Sequence, residues 1–208
     1  MARKTQEEAE ETRTAILEAA LDLFSEQGYS ATSFSDIAAC IGMTRGAVYW
    51  HFREKPDLLV ELMDKLVGEA EAKVRERVPV VQSFADLRAH LMARTRLLLE
   101  DERYRKFVFF LSLQMEWSSE TLTFTHKRVK EFQTLPFADL GRFLEEAEER
   151  GALREGIDAH AAASVLLGMW KGIVQHHFTG LLGVDLCASV ELGLDLFIEG
   201  IQRGASAK

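Results

Sequence analysis

Proline is almost missing from this chain, with three in 208 residues. Strand-like alternation is not sustained anywhere either, so a β-architecture has neither its pattern nor its turn punctuation. The two cysteines, Cys40 and Cys187, lie far apart with no CxxC spacing. That excludes a disulfide framework and a thiolate metal cluster, and it fits a reducing, cytoplasmic setting. No run of about 18 apolar residues offers a membrane span, and no signal peptide is read at the start. P-loop, Rossmann glycines, nucleophile elbow and HExxH are all missing, so neither an enzyme nor a cofactor is expected. His176 and His177 suggest a metal, but neighbours on a helix point about 100° apart and grip one ion poorly. No metal site is expected.

What is present is a soluble, globular composition: 47% hydrophobic and 28% charged residues. The net charge of −8 is an odd balance for a protein that meets a polyanion. Residues 1–56 are acidic as well, with Arg3, Lys4, Arg13, Arg45, Arg53 and Lys55 set against Glu7, Glu8, Glu10, Glu11, Glu18, Asp22, Glu26, Asp36 and Glu54. Local placement matters more than the total. Arg45, His51, Arg53 and Lys55 cluster tightly, and Arg3 and Lys4 are read on a flexible end.

Caps and periodicity predict an all-α chain of about nine helices. The first runs from about Glu8 to Gln27, with Ile16, Leu17, Ala20, Leu21 and Phe24 as one buried stripe and Gly28 as its stop. Ser33 with Asp36 forms a capping box for the second, which Gly42 ends. The third spans Thr44 to about Phe52. Pro56 opens the fourth, to about Arg77. Ser83 with Asp86 caps the fifth, to about Glu100, and the sixth covers Glu102 to Trp117. The seventh starts at Ser119, with a kink expected at Pro136, and ends before Gly151. Asp158 caps the eighth, to about Phe178, and Asp185 the ninth, to near Gly204.

Residues 33–52, SFSDIAACIGMTRGAVYWHF, read as helix, tight glycine turn and short second helix, the spacing of a helix-turn-helix. Val48 and Phe52 point inward. Arg45 and Tyr49 share an exposed flank, and Trp50 faces away from the core. An arginine at the helix start suits guanine O6 and N7. Gly46 and Ala47 leave room for deep seating. Tyr49, Trp50 and His51 suit phosphates, as do the capping hydroxyls of Ser33 and Thr44 and the ammonium of Lys55.

The stretch TRGAVYWHFREKPDLL resembles the signature of TetR-family repressors. The opening MARKTQEEAEETRTAILEAALDLFSEQGYSATS is similar to the AcrR/TtgR type, the repressors of multidrug efflux pumps. The resemblance is close over about residues 1–60 and looser beyond. It implies a DNA-binding domain over residues 1–55 and a helical ligand-binding and dimerisation domain over 56–208. It also implies DNA contacts at Thr44, Arg45, Tyr49, Trp50, His51 and Lys55.

Eight aromatic residues crowd the middle: Tyr104, Phe107, Phe109, Phe110, Trp117, Phe124, Phe132 and Phe137. Pockets for drug-like ligands are mostly apolar and aromatic with a few polar groups. The expected lining is Met63, Leu66, Val67, Phe107, Phe110, Met115, Phe132 and Trp170, with Gln114, Glu116, His126 and Gln133 as polar members. A Glu116 carboxylate among rings favours lipophilic cations. For the dimer, Gly168 and Gly172 permit close helix approach, and Leu186, Val190, Leu194, Phe197 and Ile201 form an apolar stripe. By resemblance to the family, the eighth and ninth helices pair with their mates as a four-helix bundle.

The expected partners are therefore a double-stranded, pseudo-palindromic operator, a hydrophobic or cationic inducer, and a second copy of the chain. The favoured reading is a repressor of an efflux operon. A regulator of metabolic genes sensing an acyl chain or metabolite is the alternative. An enzyme carrying this N-terminus and a ligand-blind architectural DNA binder are the readings from other classes.

Overall fold

A computed structural model describes residues 2–115, 137–180, 183 and 185–203, with the backbone alone for residues 2–5. Among the described residues the fold is all-α. The helices are α1 (Ala2–Gln27), α2 (Phe34–Cys40), α3 (Arg45–His51), α4 (Lys55–Arg77), α5 (Phe84–Glu100), α6 (Glu102–Phe109), α7 (Ala138–Glu149), α8 (Ala159–Thr179) and α9 (Leu186–Ile201). The nearest thing to a strand is one isolated bridge, Leu153 to Gln202, which ties the end of α9 to the turn after α7.

The chain forms two compact units. One holds residues 1–68 and 102–132, the other residues 69–101 and 133–208. The boundary expected at residue 55 does not coincide with this division, because α6 and much of α4 belong to the first unit.

Local chemistry fixes most ends where the caps placed them. Gly28 (φ +88°) and Gly42 (φ +66°) adopt the left-handed backbone that stops α1 and α2. After α2, Met43 N–H donates to the Ala38 carbonyl at 2.8 Å, which closes the turn. Ser33, Ser83, Asp158 and Asp185 cap α2, α5, α8 and α9 with their side-chain oxygens.

Two expectations change. α1 begins at Ala2 rather than near Glu8, so the backbone at Arg3 and Lys4 is helical and not a loose end. The sixth helix does not run to Trp117. After Phe109 it widens into a π-helical turn, Phe110–Gln114, where Met115 N–H donates to the Phe110 carbonyl at 2.8 Å. The seventh helix is described from Ala138; its expected start at Ser119 and the kink at Pro136 lie outside the described residues.

In the first unit, Ile16, Leu17, Ala20, Leu21 and Phe24 of α1 are buried with Ile37, Val48, Phe52, Leu58 and Leu59. Phe24 stacks on Phe110 with centroids 5.3 Å apart. Arg103 and Lys106 of α6 pair with Glu18 and Asp22 of α1. α6 is thus held to α1 by apolar and ionic contacts together. In the second unit, α8 and α9 approach closely at Gly193: a Cβ there would lie 2.8 Å from Met169 Sδ.

Candidate nucleic-acid interface

The recognition helix α3 is only seven residues long and does not stand alone. Val48 and Phe52 anchor it from beneath. Thr44 caps it: the Ala47 N–H donates to Thr44 Oγ1 at 3.3 Å, leaving the hydroxyl proton to donate outward. At its far end, Arg13 of α1 acts as a three-way clamp. Its guanidinium makes a bidentate pair with the Glu61 carboxylate of α4 and donates through Nη1 to the His51 carbonyl at 2.9 Å. It also lies over the Phe52 ring, 4.4 Å from the centroid. The Glu61 hydrogen bond holds the Arg13 pKa above the usual guanidinium value.

The outward face carries the residue types expected of it. Arg45 Nη2 donates to Tyr49 Oη at 2.9 Å, and its guanidinium lies 5.2 Å from that ring. Tyr49 rests edge-on against Phe34. The arginine is therefore pre-oriented on an aromatic support instead of free in solvent. Trp50 is 75% exposed, the extreme among the large apolar side chains of the described residues, and is braced edge-on by the His51 ring. Gly46 is exposed and Ala47 half-buried, so the helix start has little bulk. Burial and then Arg13 lower the His51 pKa below its ordinary value.

Two expected phosphate contacts have other work. Lys55 sends its ammonium to the carbonyls of Tyr29 (2.7 Å), Ser30 (3.3 Å) and Thr32 (2.8 Å) and sits 4.4 Å from the Tyr29 ring. Its three N–H donors tie down the α1–α2 loop. Burial of Tyr29, with Glu54 nearby, pushes that phenol up to about 12. Ser33 donates its hydroxyl proton to Asp36 at 2.6 Å and accepts from the Asp36 N–H. The Asp36 carboxyl is held below the usual carboxylate range, first by that hydroxyl. A committed hydroxyl beside a carboxylate is a poor phosphate ligand.

Of the expected ligand-lining residues, Met63, Leu66, Val67, Phe107, Phe110 and Met115 are buried and Gln114 half-buried, all in the first unit. Trp170 is buried in the second unit, where its indole N–H donates to Thr95 Oγ1 at 2.9 Å. Glu116, His126, Phe132 and Gln133 lie outside the described residues, as do the side chains of Arg3 and Lys4.

The expected dimer stripe requires correction. Leu186, Val190, Leu194, Phe197 and Ile201 are buried within the chain's own core. The other face of α9 leaves Leu192 and Leu196 exposed, and α8 leaves Val165 exposed. Gly168 and Gly172 of α8 meet nothing within 4 Å of an added Cβ, so they stand open.

Sequence reasoning missed Arg13. The signal was available: a lone basic residue in an acid-rich stretch, three and four positions before Ile16 and Leu17 on the buried stripe. Among the described residues, no group of three or more His, Cys, Asp or Glu side chains is placed to hold a metal. No described helix is long and apolar enough to cross a membrane.

The family model for bacterial regulatory proteins of the tetR family matches residues 16–62. The transcriptional regulator TtgR of Pseudomonas putida is 31% identical, over 94% of this chain and 93% of its own. NalD, the secondary repressor of the MexAB-OprM multidrug efflux pump in Pseudomonas aeruginosa, superposes with a TM-score of 0.79 at 28% identity, covering 95% of this chain and 98% of that one. SmeT, the repressor of the Stenotrophomonas maltophilia pump SmeDEF, in complex with triclosan gives 0.74 at 30% identity over 93% of each chain.

Proposed function

Because the chain belongs to the TetR family, as a transcriptional repressor homologous to multidrug-efflux regulators and not an enzyme, we propose that it binds a pseudo-palindromic operator as a homodimer and is released by small hydrophobic inducers. The DNA-binding part is residues 1–55 and the sensing and dimerising part residues 56–208. The protein works in the cytoplasm and controls an efflux operon. SmeT's complex with triclosan supports an aromatic inducer.

The observation that carries this reading is the pre-oriented Arg45 at the exposed start of α3. In the major groove it presents two donors to guanine O6 and N7. Gly46 and Ala47 let the helix seat closely. Thr44, Tyr49, Trp50 and His51 hold phosphates and set the register, and Arg3 and Lys4 add charge from the start of α1. Two copies meet through Val165, Gly168, Gly172, Leu192 and Leu196, which sets the two α3 helices about 34–36 Å apart or a multiple of that. Inducer enters among the apolar and aromatic residues of the first unit, where Met63, Leu66, Val67, Phe107, Phe110, Gln114 and Met115 supply the lining. It acts by binding the DNA-free state more tightly than the bound one.

Titrating triclosan into the free protein and into its operator complex tests release. A weaker affinity for the complex is expected. Equal affinities contradict the reading.

A further inference from the structure

Arg94 heads the large side chains that the structure buries completely, at 1% exposure. A buried guanidinium contributes little net stability even when paired, since desolvation offsets the attraction. Its presence in the second unit therefore calls for a role. Two groups face it. The Glu71 carboxylate accepts from Nη2 and keeps 17% side-chain exposure, so it lies at the edge of the buried region. The Phe137 ring lies 5.5 Å from the guanidinium carbon. The same ring meets the Trp170 indole at 5.6 Å in an edge-on arrangement. Phe137 is itself half-buried. Trp170 is fixed in turn by Thr95, whose hydroxyl accepts the indole N–H at 2.9 Å and donates to the Leu91 carbonyl at 2.7 Å.

We propose that Arg94 and Trp170 form a subsite for an aromatic ring joined to a carboxylate by a short alkyl spacer, and that Phe137 and Glu71 occupy it in the ligand-free chain. The exchange is a chemical substitution. An arylalkanoate carries in one molecule the two groups that the chain now supplies from two residues. Its ring takes the place of Phe137 between cation and indole. Its carboxylate takes the place of Glu71 on a guanidinium fork suited to carboxylates. Glu71 can be exchanged because part of it already meets water and needs little rehydration. Phe137 can be exchanged because half-burial makes its release less costly than that of a full core ring. Arg94 cannot leave: it is permanently charged and wholly enclosed, so it is the fixed member. Thr95 keeps the indole plane in place during the exchange. The charge in the site is unchanged, one carboxylate leaving as another arrives. A cation brought to the same place would meet the guanidinium and be repelled. This subsite thus prefers acids, unlike the lipophilic cations that Glu116 suggests from the sequence.

The proposal rests on the ligand-sensing reading above, and the titration is done without DNA so that the two fail separately. Calorimetry of the full chain at pH 7 compares 1-naphthaleneacetate with the naphthylmethylammonium ion, two probes of similar ring and opposite charge. The acid is expected to bind at least tenfold more tightly. Phe137→Ala, which empties the ring position, should tighten acid binding several-fold, and Glu71→Gln should do the same by releasing the guanidinium. The double variant Arg94→Gln/Glu71→Gln keeps the shape of the pair without charge and should remove the preference. If that double variant does not fold, the acid-against-amine comparison in Phe137→Ala decides alone. Equal binding of the two probes by the wild type and Phe137→Ala overturns the subsite, as does an acid preference that persists without Arg94. Acid binding that leaves operator affinity unchanged upholds the subsite and contradicts inducer release.

Discussion

Arg13 Nη1 donates to the His51 carbonyl at 2.9 Å, joining α1 to the last turn of the recognition helix. The other side of the same guanidinium is held by Glu61 of α4. The orientation of α3 therefore depends on a side chain of another helix, attached at the opposite end of α3 from Arg45. A shift of α4 at Glu61 would be felt at His51 through one rigid planar group.

Arg13→Gln should lower stability by about 1–2 kcal/mol, a modest figure because the pair is about one-third exposed and partly screened. Operator binding should weaken beyond what the stability loss explains, since α3 loses its far anchor. Chemical denaturation and operator titration on the same variant check this. Unchanged operator affinity in the folded variant would remove Arg13 from the interface.

His51 offers a spectroscopic check. Its pKa is lowered first by burial and then by Arg13. The unfolded chain therefore takes up the proton first. This residue's share of stability is full above the unfolded pKa of about 6.5 and declines as the pH falls from there towards the folded value. In an NMR titration His51 should protonate below that reference, and Arg13→Gln should move the midpoint back up. A midpoint indifferent to Arg13 contradicts the geometry.

Lys55 separates two roles cleanly. As a loop tie it contributes stability, and Lys55→Met should cost about 1–3 kcal/mol by removing the ammonium that the Tyr29, Ser30 and Thr32 carbonyls share. As a phosphate contact it would instead steepen the salt dependence of operator binding by about one counterion. The structure predicts lost stability with an unchanged salt slope. A slope reduced by about one, at full stability, would restore the phosphate role.

The faces of α9 make a paired prediction. Leu194 is wholly buried and Leu192 is 61% exposed. Leu194→Ala should cost about 2–5 kcal/mol of folding stability. Leu192→Glu should leave the fold intact and convert dimer to monomer in sedimentation equilibrium. A dimer that survives Leu192→Glu combined with Leu196→Glu moves the interface elsewhere.

What could be read from the sequence was local. The caps at Ser33, Ser83, Asp158 and Asp185 and the stop at Gly28 are decided within a few residues, and they fell where the pattern put them. The outward face of α3 was legible because a seven-residue helix with Val48 and Phe52 inward has only one way to point Arg45 and Trp50. Arg13 and Lys55 were not legible as clamps, since their partners lie 48 and 38, and 23 to 26, residues away. α9 carries apolar residues on two faces, and periodicity cannot say which one its own subunit covers. The π-helical turn at 110–114 was invisible because a one-residue change in hydrogen-bond register leaves no mark on the pattern of so short a stretch, FLSLQ.

The most direct test is recovery of genomic fragments by the purified wild-type protein and by Arg45→Ala, sequenced side by side at low ionic strength. The wild type should enrich one two-fold-symmetric motif. Arg45→Ala should lose about 1–3 kcal/mol of discrimination at one symmetric base position while keeping weak, salt-sensitive binding. A wild-type protein that enriches no sequence at all would contradict the account.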